Sequence, residues 1–156
     1  MAFFYFDINH AIKEHDFIIR NSGGKLGILN LGLLESILEH VKNDLYYPDI
    51  EDKVCHLFFS INKNHAFNDG NKRSSILLSA YFMELNGFDF RIDNFIKKTE
   101  NISVYVADNQ IDKTLLLEII TSILYEEDFN EELKLKIFNI INTQSFSNSA
   151  NEHDEF

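Results

Sequence analysis

The run Ile76-Leu77-Leu78-Ser79-Ala80-Tyr81-Phe82-Met83 is apolar on almost every side when wound as a helix. A helix with one apolar stripe can lie against a single neighbour. One that lacks a polar face has to be surrounded. The segment from about residue 71 to Asn86-Gly87, a pair suited to ending a helix, is therefore predicted to be the centre of a helical domain. The remaining chain must supply the helices that cover it.

The apolar spacing elsewhere meets that demand. Asp7 can cap a first helix whose face is Ile8, Ile12, His15 and Ile19, joined by Ala11 and Ile18; Asn21-Ser22-Gly23-Gly24 breaks it. Asn30 can cap a second, with Leu33, Leu34, Ile37, Leu38 and Val41 as its stripe. A third is predicted over about residues 49–63, with Asp49, Glu51 and Asp52 at its positive end and Val54, Leu57, Phe58 and Ile61 inward. After Gly87, Phe88-Asp89-Phe90-Arg91-Ile92 alternates and predicts a short extended piece. Two more helices are expected over about residues 93–108 and 112–125. A seventh is expected over residues 130–141, with Leu133, Ile137, Ile140 and Ile141 on one face.

A chain of 156 residues with 45% hydrophobic residues has the size and composition of one globular domain. The expected division is a helical domain over residues 1–125, an extra helix over 126–142 and a disordered acidic tail over 143–156. Residues from Glu126 onward carry eight acidic and two basic side chains. A single Pro suits a helical chain better than a sandwich, and fifteen Phe with no Trp imply a phenylalanine-rich core. The net charge of −11 argues against nucleic acid and anionic membranes as partners. No run reaches the ~18 apolar residues that cross a bilayer, and the start lacks a positive leader, so a cytoplasmic protein is expected. Cys55 stands alone among apolar neighbours and is expected to be a buried thiol.

Between the third and fourth helices lies His65-Ala66-Phe67-Asn68-Asp69-Gly70-Asn71-Lys72-Arg73. An imidazole at a helix end can act as a base towards a hydroxyl. Gly70 permits positive φ and a close backbone approach, and the free N–H groups of the helix that opens at Asn71 form an anion site. Asn71 offers a further side-chain donor, Lys72 and Arg73 add charge, and Arg can fork onto a phosphate. Phe67 is expected to anchor the loop in the core. Asp69 can cap the helix or ligate Mg2+, and its position does not separate the two. Gly23, Gly24, Lys25, Leu26, Gly27 and Ile28 precede the second helix as a loop or hairpin. Its exposed Leu26 and Ile28 could take up an extended peptide by strand addition.

The string at 65–73 resembles the signature of the Fic/Doc (Fido) family, H-x-F-x-[DE]-[GA]-N-[GK]-R, in register over nine positions. Glu14-His15-Asp16, the Gly23–Ile28 stretch and Leu33-Leu34-Glu35-Ser36 further resemble its death-on-curing branch. The likeness covers about residues 7–125. It implies an all-α fold with the motif between two central helices and a small flap hairpin beside it. It also implies ATP and Mg2+ as cofactors. His65 would take the proton from a target hydroxyl and Asp69 would hold Mg2+. Gly70, Asn71, Lys72 and Arg73 would bind phosphates, and residues 23–28 would line up the target segment.

Position 72 bears on the reaction. Most of the family has Gly there and transfers AMP to Ser, Thr or Tyr. The death-on-curing branch has Lys and transfers the γ-phosphate, with a translation factor as a target. Lys72, and Ile76 in place of a second motif Arg, favour the phosphate-transferring toxin with a separate antitoxin; Gly70, where that branch has Ala, follows the AMP-transferring type. The self-inhibitory motif [ST]-x-x-x-E-[GN] has no clean match, since Ser122 to Glu126 is followed by Glu127. A third possibility is an inactive domain that only binds a partner.

Overall fold

In the computed structural model the described residues are 2–153, with side chains described through Thr143. They form seven α-helices: α1 (Ile8–Ser22), α2 (Leu31–His40), α3 (Ile50–Asn64), α4 (Asn71–Leu85), α5 (Ile92–Ala107), α6 (Lys113–Tyr125) and α7 (Glu131–His153). The all-α expectation holds. The caps follow from short polar side chains at the boundaries. Asp7 accepts from His10 N–H, Asn30 from Leu33 N–H and Asp112 from Leu115 N–H. Asp52 accepts from Asp49 N–H at 3.1 Å in the first turn of α3. Gly87, at φ 87°, ends α4 while Phe88 N–H reaches back to Met83 O.

The most extensive helix pairing is α3 against α4, and α5 and α6 pack on that pair. Around α4, Ile76, Leu78, Ala80, Phe82 and Met83 are buried together with Ser74, Ser75 and Ser79, whose small side chains fit between close helices. Only a narrow strip that includes Leu77 and Glu84 reaches solvent. The main core joins these residues to Leu57, Phe58 and Ile61 of α3, Phe95 and Ile102 of α5, and Leu116, Ile119 and Ile123 of α6. A second, smaller cluster of Leu34, Ala66 and Phe67, flanked by Ile8, Ile12 and Ile28, lies beneath the loop before α4.

Burial on α3 exceeds its apolar stripe. Lys53 is completely buried, its Nζ donating to Val41 O at 2.9 Å and Asp44 Oδ1 at 2.7 Å and lying 4.9 Å from the Phe3 ring centre. Val41 caps α2, so the ammonium also sits at a negative helix end. Burial lowers the His56 pKa to about 4 against the weaker opposing bond to Ile37 O, so the ring is neutral near pH 7. Cys55 is buried as expected, and burial raises its thiol to about 12.

Three local expectations are corrected. Phe88 to Ile92 is not extended; a 3-10 turn over Asp89–Arg91 leads directly into α5. Among the described residues no neighbouring strand exists to pair with it, and a lone extended piece has nothing to hold it. Residues 23–28 form no hairpin with themselves. Their one bridge is antiparallel, from Ile28 to Phe67. Helix α7 continues past residue 141 to His153, where a disordered tail was expected from 143. Residues 126–153 contain no Gly or Pro to stop it. Residues 154–156 of that expected tail lie outside the described ones. No described helix is long and apolar enough to cross a membrane.

Candidate active site

The loop between α3 and α4 begins with a residue in an unusual conformation. His65 caps α3 at φ 51°, ψ 48°, and among the described residues only Asn109 is another non-glycine with positive φ. Left-handed backbone is uncommon for a side-chain-bearing residue, and such positions concentrate at functional sites. The turn leaves the imidazole exposed while the chain dips inward at Ala66 and Phe67, both fully buried. The Phe67 ring lies on the His15 ring at 3.9 Å between centres and 4° between planes.

Asn71 holds this dip closed. Its Oδ1 accepts from Phe67 N–H at 3.2 Å and its Nδ2 donates to Phe67 O at 3.0 Å. The carboxamide thus braces the loop backbone, and the second Nδ2 hydrogen remains unassigned. Its backbone N–H remains available. At the start of α4 the first hydrogen bond to Gly70 O comes from Ser74 N–H, so the N–H groups of residues 71–73 precede the helical ladder. Gly70 stands at φ 75°, and a Cβ there would come within 2.9 Å of Ile19 Cδ1.

Asp69 does not cap α4. Its Oδ2 accepts from Lys25 N–H at 3.1 Å and its Oδ1 from Gly70 N–H at 2.8 Å. These two bonds, the Lys25 one first, hold its pKa below the ordinary carboxylate value, helped by the nearby Arg73 charge. The carboxylate is ionised near pH 7. Arg73 donates to Gly23 O at 2.9 Å and to Ser22 Oγ, which ties α4 to the end of α1. Lys72 is exposed and has no ion pair among the described residues.

The glycine-rich flap lies against this loop rather than on itself. Ala66 O accepts from Leu29 N–H and Asn30 N–H, Gly27 O from Asn68 N–H, and Leu26 O from Asn68 Nδ2. Gly24 and Gly27 are required by this close approach. A Cβ at Gly24 would fall 2.7 Å from Asp69 Oδ2, and one at Gly27 would fall 2.4 Å from Asn68 Nδ2, both at positive φ. Leu26 remains half exposed.

A concavity of about 270 Å3 brings His65, Asp69, Gly70, Asn71, Lys72 and Arg73 together. Asn62 of α3, Asn68 and Ala107 of α5 complete its lining. Asn62 and Ala107 carry no local signal, because only the packing of α5 beside α3 brings them there. Asn62 donates to Ser103 O at 3.0 Å, while its buried Oδ1 has no protein partner among the described residues. His15 is the other residue that the motif does not announce. It is fully buried, and its Nε2 lies 2.6 Å from Asp69 O. A histidine on an otherwise apolar face of α1 was the visible sign of it.

A base, an ionised carboxylate, an uncovered helix start and a free cation around one small concavity suit the handling of a phosphorylated ligand. Comparison with known proteins places the chain in a family. The profile described as the Fic/DOC family matches residues 5–83, which include the flap, the motif and nearly all of α4. The chain is also 31% identical over 94 residues to Toxin Doc of Mycolicibacterium smegmatis (strain ATCC 700084 / mc(2)155), a match that covers 58% of this chain and 72% of that protein. With that coverage, and with the motif in one concavity at the head of the central helix, the chain belongs to the Fic/DOC family.

Proposed function

We propose that the chain is a Doc-like toxin that transfers a phosphate from Mg-ATP to a Ser, Thr or Tyr hydroxyl of a target protein. A translation factor is the expected class of target, and a separate antitoxin the expected partner. The observation that carries the reading is the shared concavity of His65, Asp69 and Lys72 at the N-terminus of α4. Its volume lies near the lower end of ligand pockets, ~300–1,000 Å3. It suits the phosphates, with the nucleoside extending over the open rim.

The residues fit the implied metal in one way. No cluster of three or more His, Cys, Asp or Glu side chains able to hold an ion exists among the described residues. Mg2+ would therefore be shared between the Asp69 carboxylate and the phosphates, as magnesium commonly is. It would supply charge neutralisation on the transferring group. The N–H groups at the start of α4 receive the phosphate oxygens, and Lys72 adds a charge from the rim. Arg73, anchored to Gly23 and Ser22 through Nη1, would offer its other N–H groups to them. The exposed His65 imidazole accepts the proton of the target hydroxyl. The flap, seated on Asp69 and Asn68, presents its Leu26 edge to the target.

Lys72 fills the place that a glycine leaves open in AMP-transferring members, which supports phosphate transfer. Gly70 supports the alternative, an AMP transferase. Intact-mass measurement of candidate targets after reaction with Mg-ATP separates them. A phosphoryl increment agrees with the toxin kinase; an adenylyl increment removes it in favour of AMP transfer. Ser122 Oγ donates to Glu126 at 3.2 Å within the end of α6, so this near-match to a self-inhibitory motif is spent on its own helix. That supports control by a separate antitoxin.

A further inference from the structure

His15 lies outside the motif, yet it binds the motif at its least constrained point. The peptide it grips joins Asp69 to Gly70. Glycine adopts positive and negative φ with little difference in energy, so this peptide has no preferred plane of its own. In the structure Gly70 sits at φ 75°, ψ 19°, with its N–H aimed at Asp69 Oδ1 2.8 Å away. In a trans peptide the carbonyl points the opposite way, and here it meets His15 Nε2 at 2.6 Å. Turned over, the peptide would aim a carbonyl oxygen at the Asp69 carboxylate in place of a donor. Two oxygens would then face each other, and the carboxylate would have to leave its position.

The histidine is itself held from a further direction, because its ring is stacked on Phe67. It is completely buried, so no solvent competes for the Asp69 carbonyl at that nitrogen. Removing the bond would leave the ring's packing intact and free only the peptide.

We infer that His15 is a positioning residue: through the Asp69 carbonyl it selects the orientation of the 69–70 peptide, and so places the Asp69 carboxylate and the start of α4. Its consequence for Mg-ATP rests on the function proposed above; its consequence for the peptide does not. Partners of this kind, one shell out from a ligand, typically affect metal affinity or activity roughly 10–100-fold.

The test compares His15→Phe, which keeps a ring on Phe67 and deletes the donor, with His15→Gln, whose amide can reach the same carbonyl. Two quantities are read, the Gly70 amide resonance by NMR and Mg-ATP affinity by calorimetry. The expected result is a shifted or exchange-broadened Gly70 resonance and at least about tenfold weaker Mg-ATP binding for the Phe variant, with both largely restored by Gln. A single wild-type-like Gly70 resonance in His15→Phe overturns the inference, as does equal disturbance in both variants. If the Phe variant does not fold, His15→Asn takes its place, since its side chain is too short to reach Asp69. If the wild-type protein binds no Mg-ATP, the proposed function fails while the Gly70 resonance still decides the role of His15.

Discussion

Replacing Asn71 with Ala separates two roles that the same residue could have. The structure commits its carboxamide to both polar groups of the fully buried Phe67, at 3.2 and 3.0 Å. Truncation leaves the Phe67 N–H and C=O without partners. Each orphaned buried group costs ~1–3 kcal/mol. Ala improves intrinsic helix propensity by only ~0.5–0.7 kcal/mol. The net expectation is a loss of about 2–4 kcal/mol. For a chain near this length, 1 kcal/mol moves Tm by ~2–4 °C, so the midpoint should fall by about 4–16 °C. The assay is thermal unfolding of the protein without nucleotide, followed by circular dichroism. A midpoint within about 2 °C of wild type, with Mg-ATP affinity lost, would refute the reasoning. It would return the carboxamide to the phosphate site.

Other outcomes follow from the same geometry. His65→Gly relieves the left-handed strain at φ 51°; it should be neutral or stabilising by up to ~1 kcal/mol in urea titrations while abolishing transfer and toxicity. Undiminished toxicity of His65→Ala on induction would take catalysis out of the account and leave a partner-binding domain. Gly24→Ala places a Cβ 2.7 Å from Asp69 Oδ2, so the flap should lift. Hydrogen exchange at the Lys25 amide should accelerate at least tenfold, the equivalent of ~1.4 kcal/mol, and an unchanged rate contradicts the seating described. The Asp69 pKa is depressed by the Lys25 and Gly70 N–H groups, so its ionised form adds stability that is complete above the ordinary value of 3.8 and is lost as pH falls through the lower folded value. Urea midpoints of wild type and Asp69→Asn should therefore differ at pH 6 and converge in acid; a constant difference would contradict the assignment.

Much of the helical frame is legible residue by residue. Asp7, Asn30 and Asp112 cap because a short acceptor can bond the first turn wherever it stands before an apolar run. Gly87 ends α4 because it tolerates positive φ. The expectations that failed depend on neighbours distant in the chain. Alternation at Phe88 to Ile92 reads as a strand only if a strand lies beside it. Lys53, outside the apolar stripe read for α3, is buried because the α2–α3 packing brings Val41 O and Asp44 to it.

The motif at 65–73 named the site, and the apolar run after it determined that the site would stand at the head of a buried helix. Both are properties of residues close in sequence, where spacing alone decides what shares a face or a helix end. How the site residues are used was decided by contacts across the fold. Packing against Phe67 made Asn71 a brace of the loop. The flap bound Asp69 through Lys25 and Arg73 through Gly23, across more than forty residues of chain. Burial of α1 against the loop brought His15 to the Asp69 carbonyl. A short polar side chain can serve several partners equally well, and only the folded chain determines which of them comes within 3 Å.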